Sequence, residues 1–110
     1  MSSKSKNNGY WFVKKSGGIE EYELKKNGLR VLLYEDHSFP VAAVMVTYLV
    51  GARFEQKGYS GATHFLEHLL FKGSKKFNKK NGKLFDRIMQ KRGAKINATT
   101  SFDRTNYYEL

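Results

Sequence analysis

The sequence predicts an α+β fold, a mostly antiparallel sheet with helices packed on one face, on three observations. Short β-branched and apolar segments occupy both halves of the chain, and Asn27-Gly28 sits between two of them as a hairpin signal. The apolar spacing switches from strand-like to helical after Ser60. The resulting order is strand, strand, strand, helix, helix, strand, strand. This mix is α+β, with mostly antiparallel pairing and helices laid on one face of the sheet.

The elements follow in order. Residues 1–18 are expected to form a flexible basic segment, since 1–9 are Ser-, Lys-, Asn- and Gly-rich. Its aromatic patch, Tyr10-Trp11-Phe12, is expected to anchor against the domain formed by residues 19–110. Ile19–Leu24 and Leu29–Tyr34 pair through Lys26-Asn27-Gly28, with positive φ expected at Asn27 and Gly28. Asp36 to Pro40 is turn-like, and the apolar run Val41 to Val50 reads as a central strand covered on both faces. Gly51 to Gly58 reads as a loop. A first helix carries Phe65, Leu66, Leu69 and Leu70 at helical spacing, with Ser60 available as N-cap and Gly73 just past its end. A second carries Leu84, Phe85, Ile88 and Met89 and stops at Gly93. Ala94–Ser101 and Thr105–Leu110 read as two strands joined at Phe102-Asp103-Arg104.

Composition narrows the possible functions. The 110 residues allow one domain or part of one, and 40% hydrophobic with 15% aromatic content excludes wholesale disorder. Without Cys there is no disulfide, thiolate metal site or Cys nucleophile. The run Val41 to Val50 is half the ~20 residues of a membrane span, and no secretory signal precedes it, so a cytoplasmic chain with no membrane partner is expected. Nine of the ten net positive charges lie between Lys72 and Lys95. A basic nucleic-acid-binding module is one reading of that cluster. No recognition-helix, RNP or KH pattern accompanies it, however, and a solvated loop and helix face accounts for it.

The segment His64-Phe65-Leu66-Glu67-His68 carries the chemistry. On a helix, positions i and i+4 share one face, so both imidazoles can address a common atom. Neutral imidazoles suit zinc, which in catalytic sites takes three protein ligands and leaves one position open. Glu67 borders the same face, where a carboxylate can take a proton from zinc-bound water. The apolar residues around the motif are expected to bury the helix. The third histidine, His37, lies in the turn-like stretch and is read as a surface residue.

This segment, within YSGATHFLEHLLFKGSKKF, resembles the H-x-x-E-H zinc helix of the inverzincins. RGAKINATTSFDRTNYYEL resembles the strand pair that follows this helix in peptidase family M16, the family of pitrilysin, insulin-degrading enzyme and mitochondrial processing peptidase. GLRVLLYEDHSFPVAAVMVTYLVGARFE resembles that family's opening sheet. The resemblance implies part of an M16-type metallopeptidase domain that hydrolyses peptides or small proteins bound in extended form. It assigns His64 and His68 as ligands of one Zn2+ ion and Glu67 as general base. Asn97 and Ala98 match a strand edge that pairs with the substrate main chain, as an exposed edge can. It also implies a third ligand, a Glu beyond Leu110, so that the chain is expected to be truncated and, alone, to bind zinc weakly and hydrolyse little. The rest of the site would come from the missing C-terminal part or a partner subunit. A catalytically inactive M16-like partner subunit is the alternative.

Overall fold

Tyr10–Ser16 (β1), Ile19–Leu24 (β2) and Arg30–Tyr34 (β3) form an antiparallel sheet of order β1-β2-β3. The computed structural model describes residues 9–110, and these divide into two units between Pro40 and Val41. Strand β1 corrects the expectation of a flexible segment over residues 1–18; residues 1–8 of that segment lie outside the described residues. The turn to β2 is Gly17-Gly18, with φ of 54° and 81°. A two-residue hairpin of this kind needs positive φ at both positions, which glycine adopts without steric cost.

Cross-strand chemistry then holds β1 in register. Lys15 lies opposite Glu20 and bonds it at 2.9 Å, while Glu21 is bracketed by Lys14 at 3.5 Å and Arg30 at 3.1 Å. Phe12 meets Tyr22 edge-on at 5.6 Å, the geometry that aromatic quadrupoles favour. Trp11 is not an anchor in this unit: it stays exposed, with the Lys25 ammonium 3.9 Å from its ring centre.

The β2–β3 hairpin forms where the Asn-Gly pair indicated, but with a different turn. Leu24 N–H donates to Leu29 O at 2.8 Å across a four-residue loop, and among the described non-glycine residues none has positive φ. Only Gly28 of the pair is left-handed, at 70°. Asn27 instead accepts the Leu29 N–H through its side chain.

The second unit contains Val44–Tyr48 (β4), a single 3-10 turn at Ala52–Phe54, Ala62–Leu70 (α1), Phe85–Gln90 (α2), Ile96–Thr100 (β5) and Thr105–Glu109 (β6). Its sheet is antiparallel with order β4-β6-β5. The apolar run therefore supplies an edge strand, not a central one, and Val44, Met45, Val46 and Tyr48 are all exposed. The tight β5–β6 hairpin makes β6 the middle strand, and β4 joins its remaining side. Apolarity marks β4 as a strand, but cannot say which neighbours cover it.

Cross-strand pairs Ala98–Tyr107 and Thr100–Thr105 put these side chains on one face of the sheet. Both helices meet that face. Phe71, just past α1, packs on Tyr107 at 6.1 Å, and Phe85 of α2 lines a cavity of about 240 Å³ with Val46, Tyr48, Leu70, Ile96 and Tyr107. The fold class is thus α+β with antiparallel strands, as the sequence indicates, in two sheets rather than one. Helix α1 is less buried than its apolar residues suggested: Phe65 is 64% exposed and Leu66 55%. The described side chains withdrawn from solvent are polar, namely Glu67, Thr105 and Asn106.

Two features fix the approach to α1. Gly51 is buried against the β5–β6 hairpin, where a Cβ would stand 2.1 Å from Ser101 O. The amides of Ala52 and Arg53 donate to Ser101 O and Phe102 O at 3.0 and 2.9 Å, tying the 3-10 turn to the hairpin. The helix itself begins at Gly61, with φ of 86° and no side chain to cap it, so Ser60 is not the N-cap. After α1, the side chains of Asn78 and Asn81 bond the backbone of Ser74, Lys75 and Lys76 and organise the lysine-rich loop. The ten basic residues of Lys72–Lys95 are exposed, and among the described residues none forms an ion pair.

Candidate metal centre

Helix α1 presents His64 and His68 one turn apart, and their rings converge. Their Nε2 atoms are 3.1 Å apart and their ring centres 4.8 Å. At that separation one neutral ring can donate to the other, or both lone pairs can converge on one cation. Two nitrogens bound to a tetrahedral zinc at ~2.0–2.1 Å would stand about 3.3 Å from each other. Ligand atoms of His64, Glu67 and His68 all lie within 4.8 Å of one another. The two imidazoles therefore fit zinc in chemistry and spacing, and the Glu67 carboxylate lies beside them.

The three side chains differ in environment. Both histidines are exposed, whereas Glu67 is 7% exposed and faces the sheet. Burying a carboxylate is costly unless its oxygens are bonded, and Thr100 Oγ1 donates to Glu67 Oε2. That bond engages one oxygen of the carboxylate. Tyr107 lies on the same sheet face. Burial pushes its phenol above the usual tyrosine range, and the nearby Glu67 charge adds to the rise, followed by Tyr48.

The helix start is held from outside the helix. Glu55, directly after the 3-10 turn, accepts the Gly61 N–H at 2.7 Å and the Thr63 N–H at 2.8 Å, one on each carboxylate oxygen. The Thr63 and Gly61 amides, in that order, and then the Thr63 hydroxyl hold its carboxyl below the usual glutamate range.

Asn97 and Ala98 lie on β5, whose outer edge is unpaired among the described residues. Lys95 and Leu110 exchange both backbone hydrogen bonds, so residues 95, 97, 99 and 101 turn their amides toward β6. Ala98 N–H consequently points to the free edge, where Asn97 Oδ1 accepts it at 2.8 Å. By strand alternation Asn97 projects from the face opposite Thr100, and it is exposed. His37 belongs to the other unit, in a turn closed by Ser38 N–H on Asp36 Oδ1 at 2.9 Å.

A family model described as Insulinase (Peptidase family M16) matches residues 30–109. The chain belongs to peptidase family M16. It is 46% identical over 84 residues to the zinc protease PqqE of Helicobacter pylori, covering 76% of this chain and 18% of that protein. It is 40% identical over 88 residues to human cytochrome b-c1 complex subunit 1, covering 80% and 18%, and 33% identical over 82 residues to human insulin-degrading enzyme, covering 74% and 8%. Among solved structures, pitrilysin superposes with a TM-score of 0.72 at 28% identity, over 92% of this chain and 11% of that one. A protease from Helicobacter pylori superposes at 0.67 with 41% identity, over 83% and 21%. The chain therefore spans less than a fifth of the length of these curated relatives.

Within this M16 chain the three motif residues stand together in the sequence, whereas Thr100, which holds Glu67, and Glu55, which holds the helix start, lie apart from them. Thr100 carries a usable signal: strand alternation through Ile96, Ala98 and Thr100 puts it on the helix-facing side. Glu55 carries none, because neither spacing nor composition links a loop carboxylate to a helix start six residues away.

Proposed function

We propose that this chain carries the metal-binding and water-activating segment of a zinc metalloendopeptidase. The observation that carries the reading is the convergence of His64 Nε2 and His68 Nε2, 3.1 Å apart, beside the buried Glu67 carboxylate. When bound, zinc supplies a Lewis acid that acidifies water and polarises a peptide carbonyl. His64 and His68 hold the ion as neutral donors. Glu67 takes the proton of the attacking water, and Thr100 keeps the carboxylate aimed by occupying Oε2.

The substrate binds in extended form along the free edge of β5, adding a strand by backbone hydrogen bonds. Ala98 N–H is the donor offered there. An incoming carbonyl takes the place of Asn97 Oδ1 on that amide, which leaves the Asn97 side chain to bond the substrate backbone.

A second reading, an inactive subunit of a larger assembly, is favoured by the 40% identity to a cytochrome b-c1 complex subunit. The two separate on one experiment with the intact protein. Glu67→Gln should retain zinc at the parent's stoichiometry and lose peptide hydrolysis by about 10²–10⁴-fold, the usual loss when a general base is removed. Unchanged turnover in that variant rejects Glu67 as base, and zinc uptake without hydrolysis by the parent protein favours the subunit reading.

A further inference from the structure

We propose that Glu55 is a positioning residue for this centre: its carboxylate fixes where α1 begins and thereby where His64 stands relative to His68. The proposal rests on the zinc reading above for its metal arm and on geometry alone for the rest.

The amides of a first helical turn have no partner within the helix. Ser, Thr, Asp or Asn at the N-cap ordinarily supplies one from its own side chain. Here the N-cap is Gly61, which has none to offer. Glu55 replaces it from a separate segment, with two oxygens on two amides at 2.7 and 2.8 Å. Such charge-assisted bonds are stronger than neutral ones, and an anion at this end of a helix also complements the helix dipole.

The position of Glu55 is itself imposed. Its amide donates to Ala52 O at 3.2 Å, closing the 3-10 turn, and that turn hangs from Ser101 O and Phe102 O. Ser101 follows Thr100, which holds Glu67. The end of the β5–β6 hairpin thus acts on the centre by two routes, on Glu67 through Thr100 and on the helix start through Glu55. His64 is the third residue of α1 and adjoins Thr63, one of the two amide donors. His68 lies one turn further in, where the helix's own hydrogen bonds support it. Loss of the cap therefore disturbs His64 and spares His68, and the two nitrogens cease to converge.

The test compares Glu55→Gln with a control in the same unit, Asn78→Ala, which removes the bonds from Asn78 Nδ2 to Ser74 O and Lys75 O in the loop after α1. Zinc affinity is read by competition with a chromophoric chelator in the intact protein. Ring resonances are read in histidine-labelled, metal-free protein. Glu55→Gln should weaken zinc binding by about tenfold, the scale seen when groups that orient metal ligands are removed. It should also shift the His64 resonances while leaving those of His68 in place. Asn78→Ala should lower the melting temperature yet keep zinc affinity within about twofold. Parent-level zinc affinity or unmoved His64 resonances in Glu55→Gln overturn the proposal, as does an equal loss in Asn78→Ala, which would mark a merely structural role. If a His64→Ala/His68→Ala double variant binds zinc like the parent, the zinc reading fails instead, and the resonances of metal-free Glu55→Gln still decide the role of Glu55.

Discussion

Glu55 and Glu67 lie on either side of the start of α1 and are held in opposite ways. Glu67 is buried and takes its described hydrogen bond from a hydroxyl, whereas Glu55 is half-exposed and takes two backbone amides. Those amides hold the Glu55 carboxyl below its ordinary value of about 4.3. A carboxylate with a depressed folded pKa contributes stability in full above its ordinary value, and loses that contribution as pH falls through the folded one. Thermal melts of the parent between about pH 6 and pH 3 should therefore fall more steeply than those of Glu55→Gln, with the curves closest at the acid end. Parallel curves would show that ionisation of Glu55 contributes nothing to folding. The same contrast explains what could be read in advance. The chemistry of His64, Glu67 and His68 is encoded within five consecutive residues, where helical period alone brings the side chains together. Thr100 reaches Glu67 across 33 residues, and Glu55 reaches Thr63 across eight with an intervening loop; strand alternation gives the face on which Thr100 stands, but neither pairing is announced by a local period.

Elements were legible in type and less so in role. The strands at Ile19–Leu24 and Thr105–Glu109 and both helices fall where spacing and turn residues indicate. β1 was hidden because its Lys14 and Lys15 read as solvated chain until Glu20 and Glu21 are placed opposite them. The apolar run of β4 reads as central, yet it lies at an edge, because such a run reports hydrophobicity and not strand order. The junction before the 3-10 turn shows how tightly one element can constrain another. Gly51 has an ordinary extended φ of −158°, so its requirement is one of space and not of backbone handedness. A methyl group there would lie 2.1 Å from Ser101 O and 2.7 Å from Phe102 O, and backbone on a hairpin cannot swing aside as a flexible side chain can. Gly51→Ala should therefore cost about 3 kcal/mol, the upper end for overpacking, read as a lowered denaturant midpoint. It should also weaken zinc binding, because the turn it displaces carries Glu55. A variant as stable as the parent would contradict the close approach of the 3-10 turn to the β5–β6 hairpin.

At the scale of the chain, two opposed properties govern behaviour in solution. The described residues bury no hydrophobic side chain and leave large apolar groups open, including Leu66 on α1 and Val46 on β4. A surface of that character normally belongs to an interface or binds other apolar matter. Against this stands a net charge of +10, mostly on the lysine-rich segment, which keeps copies apart through long-range repulsion. Repulsion between exposed charges is screened within about 10 Å at 0.1 M salt and about 3 Å at 1 M, whereas apolar attraction is not weakened by salt. The 110-residue chain expressed alone should therefore bind a hydrophobic dye such as ANS at low salt while remaining dispersed. It should then associate as ionic strength rises toward about 1 M, followed by light scattering. Replacing Lys75, Lys76, Lys79 and Lys80 with Gln should move the onset of association to lower salt without changing dye binding, because charge and apolar surface reside on different residues. A chain that melts sharply, excludes the dye and stays monodisperse at all salt concentrations would show that these apolar faces close on themselves in solution.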